Sequence, residues 1–122
     1  MFKNPDHMLI LHKLLVAYRY TGYNPTMIRS FKDNETERIF QRRLSTQFPT
    51  NIQNVTYRKL AMLHSARGLN DLRFTPGNRL EKLKGDRNGQ YSIRINDRWR
   101  ICFEWLDGDA YLVEIVDYYI DL

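Results

Sequence analysis

Between Leu83 and Tyr119 the chain sets arginines into alternating apolar sequence, LKGDRNGQYSIRINDRWRICFEWLDGDAYLVEIVDYY. An arginine guanidinium is planar and grips two phosphate oxygens at once. A tyrosine ring stacks on a nucleobase, and its hydroxyl orients a proton. Arg94, Arg100 and Tyr118 therefore read as one anion-recognising group, with Lys84 and Arg87 entering from the preceding turn. The plain alternative is a solvated outer sheet face with incidental charge.

These side chains share a surface only in one strand register. Tyr91, Ile93 and Ile95 alternate with Ser92, Arg94 and Asn96. Trp99, Ile101, Phe103 and Trp105 alternate with Arg100, Cys102 and Glu104, and Tyr111, Val113 and Ile115 alternate with Leu112, Glu114 and Val116. The period of two predicts an antiparallel meander with one strongly apolar face. A two-residue turn at Asn96-Asp97 would set Arg94 against Trp99 and mix the faces. A three-residue loop from Asn96 to Arg98 pairs Ile95 with Trp99, Ile93 with Ile101 and Arg94 with Arg100, and keeps the faces consistent. The same reasoning across Asp107-Gly108-Asp109 pairs Trp105 with Tyr111, Phe103 with Val113 and Ile101 with Ile115. It also sets Cys102 against Glu114 and Arg100 against Val116, with Tyr118 continuing on the arginine face. Like charges directly opposite destabilise a sheet by about 0.2–1 kcal/mol. An anion between Arg94 and Arg100 would resolve that repulsion.

The earlier chain must supply the helical cover. Within residues 1–26, Pro5-Asp6 starts a helix that Gly22 and Asn24-Pro25 stop. Met8, Leu11, Leu15 and Tyr18 form its stripe, widened by Ile10 and Leu14. His12, Lys13 and Arg19 interrupt it too often for a membrane span, and no small-residue cleavage site marks a signal peptide. The segment is either a helical extension or a start-site artefact, because Met27 opens a self-contained domain over 27–122. Met27 to Phe31 reads as a short strand. Asp33-Asn34 caps a helix whose first turn holds Glu35 and Glu37. Ile39, Phe40 and Leu44 are its apolar side; Arg38, Arg42 and Arg43 its basic side; Phe48 to Asn51 breaks it. A second helix runs from Ile52 to Ala66 with Ile52, Val55, Met62, Leu63 and Ala66 on one stripe. Lys59 falls inside that stripe, which predicts a snorkelling lysine or partial cover. Residues 69–79, with Pro76-Gly77-Asn78, read as a loop.

At 122 residues, 43% hydrophobic and 13% aromatic, the chain supports a single core. A net charge of +5 suits an acidic partner such as nucleic acid or an acidic protein. The single Cys102 leaves no intramolecular disulfide and fits a reducing cytosol. His7, His12 and His64 lie outside the strand block, and His7 and His12 do not have the i, i+4 spacing of a helical metal pair. Neither a metal nor a cofactor is expected.

From Met27 to Tyr119 the chain resembles the HigB-type toxins, the plasmid maintenance killer branch of the RelE/ParE superfamily. The carriers are MIRSF, RKLAMLHSA, DLRFTPGNRLEKLKGDRNGQYSIRINDRWRICFEW and GDAYLVEIVDY. The resemblance implies an α+β fold, two helices packed on a twisted antiparallel sheet, with the N-terminal helical segment as an addition. It implies a cytoplasmic toxin that enters the ribosomal A site and cuts mRNA. A HigA-type helix-turn-helix antitoxin would hold it inactive, and operator DNA would be met only through that antitoxin. Cleavage of this type needs no metal: the ribose 2′-OH attacks the adjacent phosphate. That reaction requires a base, positive charge on the phosphorane and an acid for the 5′-oxygen.

By the resemblance, Lys84 of LKGDR is a catalytic lysine and Arg100 stabilises the phosphate. Arg87, Arg94 and Glu81 line the RNA. Asp117 and Tyr118 match the start of a terminal Asp-Tyr-His, and Tyr119 stands where the histidine is usual. Another histidine of some members is Glu81 here. A tyrosine of pKa about 10 is a poor base at neutral pH. The proton work therefore falls to Asp117, Glu81, Lys84 or Tyr118. Two other functions share such a fold. One is gyrase poisoning of the ParE kind, without nucleolysis. The other is a degenerate toxin that serves mainly as an antitoxin-binding co-repressor.

Overall fold

The computed structural model describes residues 27–121, so the helix expected within residues 1–26 lies outside the described residues. Helices α1 (Asn34–Phe40), α2 (Thr50–Ser65) and α3 (Leu69–Phe74) precede strands β1 (Glu81–Lys82), β2 (Gln90–Arg94), β3 (Trp99–Leu106) and β4 (Asp109–Asp117), and a last turn of helix, α4 (Tyr118–Asp121), follows. The four strands form one antiparallel sheet in sequence order. Residues 27–32 lie parallel to β4 through two bridges rather than as a full strand. Arg29 N donates to Ala110 O at 2.7 Å and Lys32 N to Val113 O at 2.9 Å.

Asp33 caps α1 by accepting from Thr36 N at 2.7 Å, and Glu35 and Glu37 sit at the favourable end of the helix dipole. The helix ends at Phe40, a turn earlier than its apolar spacing predicts. Arg42 takes a left-handed φ of 61°, Arg42 N donates to Ile39 O and Arg43 N to Arg38 O. This is a Schellman closure without the glycine that usually signals it. Leu44, expected on the apolar side, is consequently outside the helix and 75% exposed.

Helix α2 buries Ile52, Thr56, Leu60 and Leu63, while Val55 and Met62 flank the core half-buried. Its buried Gln53 exchanges hydrogen bonds with the Ser45 backbone, accepting from N at 3.1 Å and donating to O at 2.7 Å. That contact ties the connecting loop down. Residues 69–79 are not wholly a loop, because Leu69–Phe74 forms α3 and drives Leu72 into the core. The periodicity of six residues with one buried leucine is too short to announce a helix.

One sheet face supplies Ile93, Ile101, Phe103, Val113 and Ile115 to a core completed by Ile39, Phe40, Ile52, Leu60, Leu63 and Leu72 from the helices. The opposite face carries a smaller buried group, Leu83, Cys102 and Val116. Packing on that second face means the arginine face is not simply solvated.

The register holds where the site is built. Ile93 pairs with Ile101 and Arg94 with Arg100. Ile101 pairs with Ile115, Cys102 with Glu114 and Arg100 with Val116. Nearer the last hairpin it departs from expectation: Glu104 pairs with Tyr111 and Trp105 with Ala110, after a bulge between Cys102 and Glu104. The cause is the turn. Asp107 and Gly108 both take positive φ, 50° and 83°, the two-residue geometry that matches strand twist. This turn puts Trp105 opposite Ala110 instead of Tyr111. Leu112, at φ 51°, absorbs the extra residue and restores the faces.

A Cβ at Gly108 would meet nothing within 4 Å, so Gly108→Ala tests the backbone alone. It is expected to cost about 1–2 kcal/mol, read as a lowered urea midpoint with unchanged slope.

Candidate active site

Arg100 is the centre of the site. It is 5% exposed, on the sheet face away from α1 and α2. Its Nε donates to Ser92 Oγ at 2.8 Å; one terminal nitrogen donates to Arg79 O at 2.5 Å and approaches Ser92 O at 3.3 Å. The other terminal nitrogen lies 3.8 Å from a Glu81 carboxylate oxygen. The guanidinium is thus aimed by neutral acceptors, and its nearest carboxylate is at the limit of ion-pair range. A buried cation so lightly compensated is a strong attractor for an anion.

Glu81 and Tyr118 close one side of this group. The Tyr118 hydroxyl donates to Glu81 Oε2 at 3.0 Å, and its ring lies 5.1 Å from the Arg100 guanidinium carbon. Burial, together with the Glu81 carboxylate, pushes the Tyr118 hydroxyl above its ordinary pKa, so it stays protonated. Tyr118 was expected to continue β4; the strand instead ends at Asp117 and Tyr118 opens α4. The contact with Arg100 survives because Tyr118 N is held by Arg98 O at 2.7 Å.

Arg94 faces Arg100 across the strands but turns its head the other way, to Asp97 at 2.6 Å. Each guanidinium of the pair has its own carboxylate, Asp97 for Arg94 and, at 3.8 Å, Glu81 for Arg100. Arg87, expected to enter the site, binds Gln90 at 3.0 Å and Glu114 at 3.1 Å. Lys84 is exposed at the end of β1, and its ammonium has no partner among the described residues.

The terminal Asp-Tyr-Tyr is divided by the fold. Asp117 points to the face of Trp99, its strand partner, and accepts from Arg98 through both carboxylate oxygens: Oδ1 from Nε at 3.1 Å, and Oδ2 from Nε at 3.0 Å and from a terminal nitrogen at 2.7 Å. It also accepts from Tyr119 N at 3.1 Å. Its carboxyl is held below the usual range, by the Arg98 hydrogen bonds first and the Tyr119 amide after, which makes it a weak base. Tyr119 is 70% exposed, with Arg98 5.9 Å from its ring, and its hydroxyl has no hydrogen-bond partner among the described residues.

The structure therefore gathers Arg100, Tyr118 and Glu81, and sets Arg94, Arg87, Asp117 and Tyr119 apart from that centre. It adds Ser92, Arg79 and Arg98, which the sequence reading did not single out. Ser92 was legible in principle, since it is two residues from Arg94 on the arginine face. The Arg79 carbonyl carried no sequence signal. Among the described residues no three of His, Cys, Asp or Glu gather to hold a metal ion, and no helix is long and apolar enough to cross a membrane.

An antiparallel sheet with helices on one face and this basic centre on the other is a RelE-like α+β architecture. Residues 29–122 match the family described as RelE-like toxin of type II toxin-antitoxin system HigB. Toxin HigB-1 of Vibrio cholerae is 40% identical over 85 residues, covering 69% of this chain and 90% of that protein. Endoribonuclease HigB of Proteus vulgaris is 31% identical over 93 residues, covering 76% of this chain and all of that protein. The chain belongs to the HigB-like toxins of type II toxin–antitoxin systems, and such a toxin has a cognate antitoxin.

The Arg98–Asp117 pair makes a pH prediction. A carboxyl whose pKa is lower in the folded state binds fewer protons there than in the unfolded chain. Its stabilising contribution is complete above the unfolded value of about 3.9 and is lost as pH falls through the depressed folded value. Urea midpoints measured between neutral and strongly acidic pH are expected to fall less steeply in Arg98→Ala than in the unaltered protein. Identical acid limbs would remove the pair from the stability account.

Proposed function

We propose that this HigB-like toxin is a ribosome-dependent endoribonuclease that cuts mRNA at the Arg100 centre. One observation carries the reading: a buried guanidinium, positioned by Ser92 and the Arg79 carbonyl, whose remaining N–H groups face a carboxylate–phenol pair. The name of the Proteus vulgaris relative supports it.

In this mechanism the Glu81 carboxylate takes the proton of the ribose 2′-OH. The 2′-oxygen forms its bond to phosphorus, and Arg100 stabilises the charge that grows on the non-bridging oxygens. The bond from phosphorus to the 5′-oxygen breaks, and Tyr118, kept protonated by its surroundings, gives that oxygen its proton. The proton on Glu81 then returns to the Tyr118 phenolate along their 3.0 Å hydrogen bond. The products are a 2′,3′-cyclic phosphate and a 5′-hydroxyl, and the enzyme is regenerated. Lys84, exposed two residues beyond β1, adds positive charge toward the phosphate. Arg94 and Arg87 line the RNA path at its edges. Asp117 holds Arg98 and the last turn of chain, and Tyr119 is a surface contact rather than a base.

The toxin domain in this reading spans 27–122, acts in the cytoplasm where ribosomes are, and is held inactive by a helix-turn-helix antitoxin through which operator DNA is bound. A second reading, an antitoxin-binding co-repressor with little nuclease activity, is favoured by the locked Asp117 and the outward Tyr119.

Cleavage of a translated message by purified protein, read as new 5′ ends, separates the two. Arg100→Ala is expected to slow it by about 10²–10³-fold and Glu81→Gln by about 10²–10⁴-fold, both with native circular dichroism. Tyr119→Phe is expected to leave the rate unchanged. Full cleavage by folded Arg100→Ala would sink the mechanism, and absent cleavage by the unaltered protein would favour the co-repressor.

A further inference from the structure

Asn78 is 0% exposed although it belongs to the connection between α3 and β1. Every polar group it has is engaged. Its side-chain oxygen accepts from Lys59 Nζ at 2.6 Å, and its amide nitrogen donates to Leu72 O at 3.0 Å. Its backbone N donates to Thr75 O at 3.3 Å, and its backbone O accepts from Arg94 N at 2.6 Å. One residue is thereby fastened to α2, α3 and β2 together. The next residue, Arg79, takes a left-handed φ of 44° and delivers its carbonyl to Arg100. That conformation costs a non-glycine residue about 1–2 kcal/mol, so something must hold it.

Lys59 is the costly member. It lies on the inner side of α2, half-buried and near two further cations. Burial first, then Arg94 and Arg58, lower its pKa. A lysine at an amphipathic helix edge ordinarily reaches water. This one reaches inward and spends its ammonium on a loop asparagine. We propose that Lys59 and Asn78 form a positioning clamp that sets the Arg79 carbonyl and, through it, the direction in which Arg100 presents its guanidinium. The clamp touches no substrate and acts only through Arg100. Its catalytic consequence rests on the endoribonuclease reading above; its structural part does not.

Asn78→Ala and Lys59→Met in the full chain test it by two readouts. The first is translation-dependent cleavage. Each variant is expected to lower kcat by about 10²-fold with KM for the ribosome–message complex little changed, as a misaimed group does. Neither should slow Arg100→Ala further, because both act through that side chain. The second is the Arg100 Nε–H signal in nitrogen-15 spectra, assigned by its loss in Arg100→Ala. It is expected to shift and to exchange faster with water in both variants. Should Asn78→Ala fail to fold, Lys59→Met carries the test, since it leaves the Asn78 bonds to Leu72 and β2 in place. An unchanged Arg100 signal in folded Lys59→Met, or a loss of rate that adds to that of Arg100→Ala, would overturn the clamp. If Arg100→Ala itself cleaves normally, the nuclease role of Arg100 falls while the spectrum still decides the clamp.

Discussion

A guanidinium withdrawn from water is tolerable only when its N–H groups find acceptors, and Arg100 places that demand on three separate parts of the chain. Ser92 accepts from it on the neighbouring strand and the Arg79 carbonyl on the preceding connection, while the Glu81 carboxylate of the edge strand stands 3.8 Å away as the balancing charge. None of the three is near Arg100 in sequence. The sheet register, the left-handed residue at Arg79 and the short β1 must all be correct for the charge to be buried at all. Much of the fold on this side of the sheet is therefore the condition for holding one cation.

The sheet meets that condition through parity. Side chains alternate across a strand, so a single slip would move Arg100 into the apolar core and Ile101 out of it. The three-residue loop from Asn96 to Arg98 protects the register at the site, with Asn96 accepting from Arg98 N and Trp99 N at 2.9 and 2.8 Å. At the far hairpin the preferred geometry of Asp107-Gly108 would have broken the parity. The bulge at Leu112 repairs it before the strand reaches Val113 and Ile115. Two local requirements conflict there, and the irregularity lies at the exposed end, away from Arg100.

Charge is handled by the same separation. Asp97 and Glu114 each bind an arginine at the margin of the face, Arg94 and Arg87, and Asp117 binds Arg98 on the side of Trp99. Among the described residues Glu81 is the one carboxylate paired with Arg100, and it also accepts from the Tyr118 hydroxyl. The Asp97, Glu114 and Asp117 pairs are in direct contact at 2.6–3.1 Å, whereas Arg100 and Glu81 stand 3.8 Å apart.

Several of these features were legible in the residues themselves. Alternation of apolar residues specified the meander, the face rule specified that Arg94 opposes Arg100, and Asp33 with Glu35 and Glu37 marked the start of α1. These are local periodicities and caps, and they act through neighbours in sequence. The end of α1 at a non-glycine residue, the helix around Leu72 and the two-residue turn with its compensating bulge were not legible, because packing overrode or completed weak local preferences. The site divides in the same way. Arginine and tyrosine spacing pointed to a phosphate-binding surface, and the resemblance named Lys84, Arg100, Asp117, Tyr118 and Tyr119. Only the tertiary structure decided that Asp117 is tied to Arg98, that Tyr119 faces solvent, and that Ser92 and a backbone carbonyl aim Arg100. Side-chain direction and carbonyl placement depend on which distant residues come within about 3 Å, the reach of a hydrogen bond.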